Sequence, residues 1–184
     1  MPTSFGHAAA GIAAAWTADR RASNRLTVAC ALLAASPDLD LLFHTHRGPS
    51  HSLGAAIIVG VAAGLIVRST RVARSPQAIR IGLICGLAYS THILLDWLAI
   101  DTWPPYGLQA LWPFSSEWYI SGLNWFRQTE RDHFFSVHAF VVNTKAVVQE
   151  MAILLPILGL LWLVRVKALA RLAAEVPGRD HPPQ

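Results

Sequence analysis

The sequence predicts an all-α, polytopic membrane bundle of about four spanning helices, with a short half-inserted helix at the N-terminus. Three observations predict it. Of 184 residues, 53% are apolar and only 14% charged, where soluble domains carry roughly a quarter. Mean hydropathy is positive, at +0.39. The charges that remain cluster between apolar stretches instead of alternating with them. This composition excludes disorder, collagen and coiled-coil designs, and the length suits one domain. Cys30 and Cys85 each lie in an apolar run, which excludes a disulfide framework or a zinc ribbon and assigns both to packing.

The N-terminal apolar stretch, 5–16, is too short to span and lacks the flanks of a signal peptide, so it is read as half-inserted. Stretches 26–43, 51–67, 81–100 and 146–166 approach the roughly 20 apolar residues that a hydrocarbon core requires. The last holds Gln149 and Glu150 near its start, with Arg165 and Lys167 able to snorkel at its end. Arg20, Arg21 and Arg25 precede the first span, and Arg68, Arg71, Arg74 and Arg80 fill the loop between the second and third. Arg165, Lys167, Arg171 and Arg179 follow the fourth. Those are eleven of the fifteen Lys and Arg residues, and four spans put all of them on one face. The positive-inside rule makes that face cytoplasmic. The basic pI, near 9.6, then reports orientation, and without a recognition motif it gives no case for nucleic acid.

The opposite face carries segment 101–145, with eleven of the seventeen aromatics. Pro104, Pro105 and Pro113 argue against a continuous helix there. An interfacial belt accounts for the aromatics; the other reading is a lid whose members, such as Trp112, touch substrate.

Only Asp38, Asp40 and Asp96 bring carboxylates into the first three spans. A charge at a helix centre costs on the order of 2.5–3.5 kcal/mol on insertion scales, so each needs a partner. The topology brings Asp38 and Asp40, the turn 44–51, the pair His92 and Asp96, and His7 to the same outer layer. His92 and Asp96, at i and i+4, project from one helix face. Pro37 disturbs the preceding helix, and in an extended segment Asp38 and Asp40 share a side. His46 and His51 flank a Gly-Pro turn that folds both imidazoles toward the carboxylates. Ser50 is a candidate N-cap of the second span, whose free amides, with Arg47, make an anion site. The candidate ligands are therefore His7, Asp38, Asp40, His46, His51, His92 and Asp96. This mixed set suits zinc or manganese and exceeds the needs of one tetrahedral zinc, so one or two ions are expected. The structural rival is a hydrogen-bond network joining the helices.

These residues resemble the YdjM-type inner-membrane metal-dependent hydrolases. The resemblance rests on His7, Pro-Asp-x-Asp at 37–40, His-Arg-Gly-x-Ser-His-Ser at 46–52, His-x-x-Leu-Asp at 92–96, Gly107, and Leu-Trp-Pro-Phe-Ser at 111–115. It covers about the first 116 residues, and 117–184 carry none of its motifs. The chain departs from the pattern at Ser50, where the family usually has Thr, at Ser36, usually apolar, and in extra residues at 101–105. The family is distantly similar to helical zinc phospholipases C, which implies phosphoester hydrolysis.

The expected function is thus a metal-dependent hydrolase of the inner membrane, its site facing the extracytoplasmic side. Arg47 would neutralise charge on a phosphoryl group, with Ser50 and Trp112 as substrate contacts and Asp40 as the base where one is needed. Depth favours a lipid or lipid-linked phosphoester, and membrane lipid is the expected partner. The rivals are a cation transporter, which needs polar residues continuing to the inner face, and a bundle that metal only stabilises. No Gly-x-Ser-x-Gly elbow supports a serine nucleophile.

Overall fold

A computed structural model describes residues 1–43, 47–70, 75–131 and 135–175. It holds five α-helices: α1 (Ser4–Ala18), α2 (Asn24–Ala35), α3 (Leu53–Ser69), α4 (Ser75–Trp97) and α5 (Val137–Glu175). Among the described residues there is no β-strand, only isolated bridges. Side-chain caps start three of the helices. Thr3 accepts from Gly6 N–H, Ser23 from Leu26 N–H and Ser52 from Ala55 N–H, each meeting an amide that has no partner in the helix.

The expected spans are redistributed. Stretch 26–43 is divided: α2 stops at Ala35 and Ser36–Phe43 continues as a 3-10 helix. Pro37 explains the change, since it removes a backbone donor but keeps a φ that suits the start of a tighter helix. Stretch 51–67 becomes α3, whose 17 residues reach only about 25 Å at 1.5 Å per residue. By length and composition two helices can cross a membrane, Ser75–Trp97 and Val137–Arg171. The latter begins earlier than the expected 146, so the irregular outer segment is shorter than 101–145. Pro156 lies inside α5 without ending it.

Helix α4 packs on α1, α2 and α3, and α1 also meets α2 and α5. The α3–α4 contact is made by small residues. A Cβ on Gly82 would lie 2.6 Å from the Gly60 carbonyl oxygen, and one on Gly86 would lie 3.4 Å from the Gly60 Cα. Close backbone approach of this kind is how helices associate where lipid removes the hydrophobic drive between them. The outward faces stay apolar, with Ile57, Val61 and Leu65 on α3 and Leu155, Leu160 and Trp162 on α5 exposed. Such a surface fits lipid, not water.

One end of the bundle is cationic. Arg80 pairs with Asp19 at 3.0 Å, and Arg165 donates to the Arg20 carbonyl at 3.3 Å and lies over the Trp16 ring. At the other end, residues 98–131 fold over the helix termini. Ile100 N–H bonds Phe126 O, Leu108 and Tyr119 exchange two backbone bonds, and Leu53 N–H bonds Ala110 O. Gln149 holds this cap to α5 through Arg127 N–H and Trp125 O. Several of its aromatics face outward, among them Trp103, Tyr106, Phe114 and Trp125, as an interfacial belt requires.

The glycine contacts give a paired expectation. Gly82→Ala should destabilise the bundle by about 1–3 kcal/mol, the range for overpacking. Gly159→Ala, at an α5 position where nothing lies within 4 Å, should be neutral or stabilise by up to about 1 kcal/mol through helix propensity. Thermal unfolding of both variants in detergent reads the difference, and equal effects would contradict the packing described.

Candidate metal centre

Four elements deliver one cluster at the capped end. The first turn of α1 gives His7, the 3-10 helix after α2 gives Asp38 and Asp40, the 3-10 turn Pro49–His51 gives His51, and the last turns of α4 give His92 and Asp96. His7, His51 and His92 are fully buried and Asp96 nearly so. The His7 and His92 rings stack with centroids 3.6 Å apart, and His51 meets His92 edge-on at 4.7 Å.

The nitrogens and oxygens converge. His7 Nε2 lies 3.4 Å from Asp96 Oδ1, while His92 Nε2 and His51 Nε2 lie 3.2 and 3.5 Å from Asp96 Oδ2. Asp38 Oδ1 is 3.7 Å from His92 Nε2 and 3.8 Å from His51 Nε2. Ligands held about 2.0–2.1 Å from one tetrahedral ion are separated from each other by about 3.3 Å. Two groups come near that spacing, His7 with His92 and Asp96, and Asp38 with His51 and His92, each with ligand atoms within 4.8 Å of one another.

Second contacts set the tautomers. His92 Nδ1 donates to the Ala34 carbonyl at 2.7 Å, so its Nε2 turns a lone pair inward. His51 Nδ1 faces Asp40 Oδ2 at 3.1 Å; the carboxylate only accepts, which puts a proton on Nδ1 and, in the neutral ring, the lone pair on Nε2. Metal-binding imidazoles are oriented in this way. Yet His92 Nε2, both His7 nitrogens, Asp38 Oδ1 and both Asp96 oxygens are buried with no hydrogen-bond partner among the described residues. A hydrogen-bond network would have satisfied them.

Asp40 stands behind His51, bonding Ser50 Oγ at 2.8 Å and Arg47 N–H at 3.2 Å. The reason is the 3-10 geometry, which replaces the expected extended segment. With three residues per turn, positions 38 and 40 diverge, so the two carboxylates take opposite edges of one imidazole. Ser50 is not the N-cap of α3; that place belongs to Ser52, because Ser50 lies inside the intervening turn. Trp112 is half-buried, and its carbonyl packs against Gly54 in the first turn of α3. His46 lies outside the described residues.

Two residues escaped the sequence reading. Asp101 forms an ion pair with Arg47 and accepts from Gly107 N–H at 2.7 Å; its place just after the third apolar stretch was the available signal. Glu150 is buried in α5, where it accepts from Thr3 N–H at 2.8 Å and Thr3 Oγ1 at 2.5 Å. It ties the segment that presents His7 to α5, and its position in an apolar run marked it as needing a partner.

Burial pushes the Asp101 carboxyl up, but the Arg47 guanidinium and the N–H groups of Gly107 and Trp103 outweigh it and hold the group below the usual carboxylate range. A depressed folded pKa gives stability that is present above the unfolded value and lost as pH falls through the folded one. Asp101→Asn should therefore cost about 2–3 kcal/mol at neutral pH, less than full removal of a buried partner because the Asn carbonyl can still accept from Gly107 N–H. The difference in unfolding temperature from the parent should shrink below about pH 4. A difference that persists in acid would contradict the ion pair.

A sequence model described as YdjM inner membrane protein matches residues 1–171, well past the motifs in the first 116. No curated protein and no solved structure matches the chain. With nearly its whole length covered, and with His7, Pro37 to Asp40, His51, His92 and Asp96 gathered at one bundle end, the chain belongs to the YdjM inner membrane protein family.

Proposed function

We propose that this protein is a multispanning inner-membrane hydrolase that acts on a phosphoester through a divalent metal centre on the extracytoplasmic side. The observation that carries the reading is the set of buried, unpartnered ligand atoms on His7, Asp38, His92 and Asp96. Charge supports it as well: Asp38, Asp40 and Asp96 gather around His7, His51 and His92, and with the imidazoles neutral, as ligation requires, a divalent cation would offset carboxylate charge there.

The donor set fits zinc, and also manganese because it includes carboxylates. Bound there, the ion supplies Lewis acidity, which activates water near neutral pH and polarises a phosphoryl oxygen. The chain does the rest. His92, fixed by the Ala34 carbonyl, and His51, fixed by Asp40, keep their Nε2 atoms aimed inward. Asp40 also positions Ser50, and the Arg47 guanidinium stays at the mouth of the site, anchored by Asp101. Buried rings and carboxylates limit water at the centre, which strengthens each electrostatic contact. The cationic bundle end supports the orientation, because the positive-inside rule places Arg20, Arg80 and Arg165 in the cytoplasm and the cluster outside. The exposed aromatics of the cap support a position at headgroup level, which favours a lipid phosphoester as substrate.

Purified in detergent without chelator, the full chain should carry zinc or manganese and hydrolyse members of a phosphoester panel. Asp96→Ala and His51→Ala should lose both metal and turnover. Asp40→Asn should keep the site but weaken metal affinity by about 10–100-fold, as loss of an orienting partner does. A metal-free parent protein refutes the centre. Metal without turnover shows a structural ion instead, and cation uptake into vesicles that the same variants abolish shows a transporter.

A further inference from the structure

Beside the cluster lies a cavity of about 340 Å³, lined by Leu41, Arg47, Trp103, Pro105, Gln128 and Arg131 among others. Its two arginines differ in what they hold. Arg47 is buried, forms an ion pair with Asp101 and donates from Nε to the Met1 thioether at 2.7 Å. Arg131 donates from Nη2 to the same sulfur at 3.2 Å and meets no carboxylate within ion-pair distance among the described residues. A thioether is a weak acceptor, so a part-buried guanidinium with a forked array of N–H groups is left without the oxygen acceptors it binds best. Arg131 shares the Met1 sulfur with Arg47, whose backbone N–H bonds Asp40 at 3.2 Å behind His51, so a short chain of contacts joins the guanidinium to the cluster.

We infer that Arg131 is the anion-binding residue of this cavity, and that its ligand is a phosphoryl group held between its guanidinium and the metal centre. The inference rests on the hydrolase reading and names the part of its substrate that the site recognises. A tetrahedral oxyanion offers oxygens in more than one direction, so it can meet the fork of Arg131 and still turn an oxygen toward the cluster. A carboxylate, with two coplanar oxygens, spends both on the fork. Arg47, already neutralised by Asp101, is the supporting wall. The Met1 thioether occupies the acceptor position that a phosphoryl oxygen would take.

The test titrates inorganic phosphate into the metal-loaded full chain in detergent by calorimetry, with metal content measured on the same samples. A second arm uses nanodiscs of phosphatidylcholine with and without phosphatidic acid. Phosphate should bind the parent, and Arg131→Gln should weaken it at least about tenfold, the loss expected with one charge-assisted interaction, with metal content unchanged. Arg131→Lys should recover part of the affinity, since it restores the charge without the fork. Arg127→Gln, an exposed arginine of the same segment, should bind as the parent does. Tighter binding to phosphatidic acid discs than to phosphate supports the anion site with a lipid headgroup as the source, and equal binding supports it with free phosphate. Phosphate bound through Arg131 by a protein that takes up no metal supports Arg131 as the anion-binding residue, but overturns the metal reading and with it the placement of the phosphoryl group against a metal. Metal-loaded protein that ignores phosphate, or Arg131→Gln that keeps metal and full phosphate affinity, overturns the inference.

Discussion

The structure depends on one electrostatic constraint. Carboxylates and imidazoles from four chain segments have been brought together at a place largely closed to water. A buried carboxylate without hydrogen-bond donors costs several kcal/mol after all relaxation, and among the described residues neither Asp96 oxygen accepts a hydrogen bond. Protonation would relieve the charge but would leave the inward-facing Nε2 atom of His92 without a hydrogen-bond partner among the described residues. A divalent cation relieves both problems together, because it takes carboxylate oxygens and neutral imidazole lone pairs as ligands.

Helix packing serves that constraint. For His92 and Asp96 to reach His7 and His51, α4 must lie close to α1 and α3, and the small residues allow this. On α4, Gly82 and Gly86 sit against Gly60 and Gly64 of α3, while Gly11 of α1 packs on the Cys30 carbonyl of α2. Larger residues there would separate the helices, and ligand atoms 3.2–3.8 Å apart would fall out of range of one ion. Packing one to several turns along the helices from the site therefore sets its dimensions.

The site was more legible in the sequence than the fold around it. Charged residues in apolar runs are costly, so Asp38, Asp40 and Asp96 identified themselves, and the i, i+4 spacing of His92 and Asp96 fixed their common face. Helix limits were harder. An apolar run does not say where α-helix gives way to 3-10 helix, and Pro37 was compatible with an extended segment as well as with the tight turn that forms. That choice decides whether Asp40 shares an ion with Asp38 or stands behind His51. Asp101 and Arg131 were obscure for another reason. Each acts through a long-range contact across an irregular segment, and no local periodicity reports such a contact.

Arg47 shows why the irregular cap belongs to the site. Its φ of 62° is a conformation that costs a non-glycine residue about 1–2 kcal/mol, and such strain persists only where the surroundings over-determine it. Here they do. The Arg47 N–H bonds Asp40, its carbonyl accepts from Gln109 N–H, its guanidinium meets Asp101 and its Nε meets Met1. Asp40 in turn sets His51, and Asp101 is held by Gly107 N–H, at a residue whose φ of 94° and close approach to the Tyr119 carbonyl require glycine. A continuous chain of contacts thus runs from the fold of the cap to the imidazole lone pair at the cluster. Asp40 after α2 and the cap after α4 are far apart in sequence, yet Arg47 bonds both, so the centre and its cover are held together as one unit.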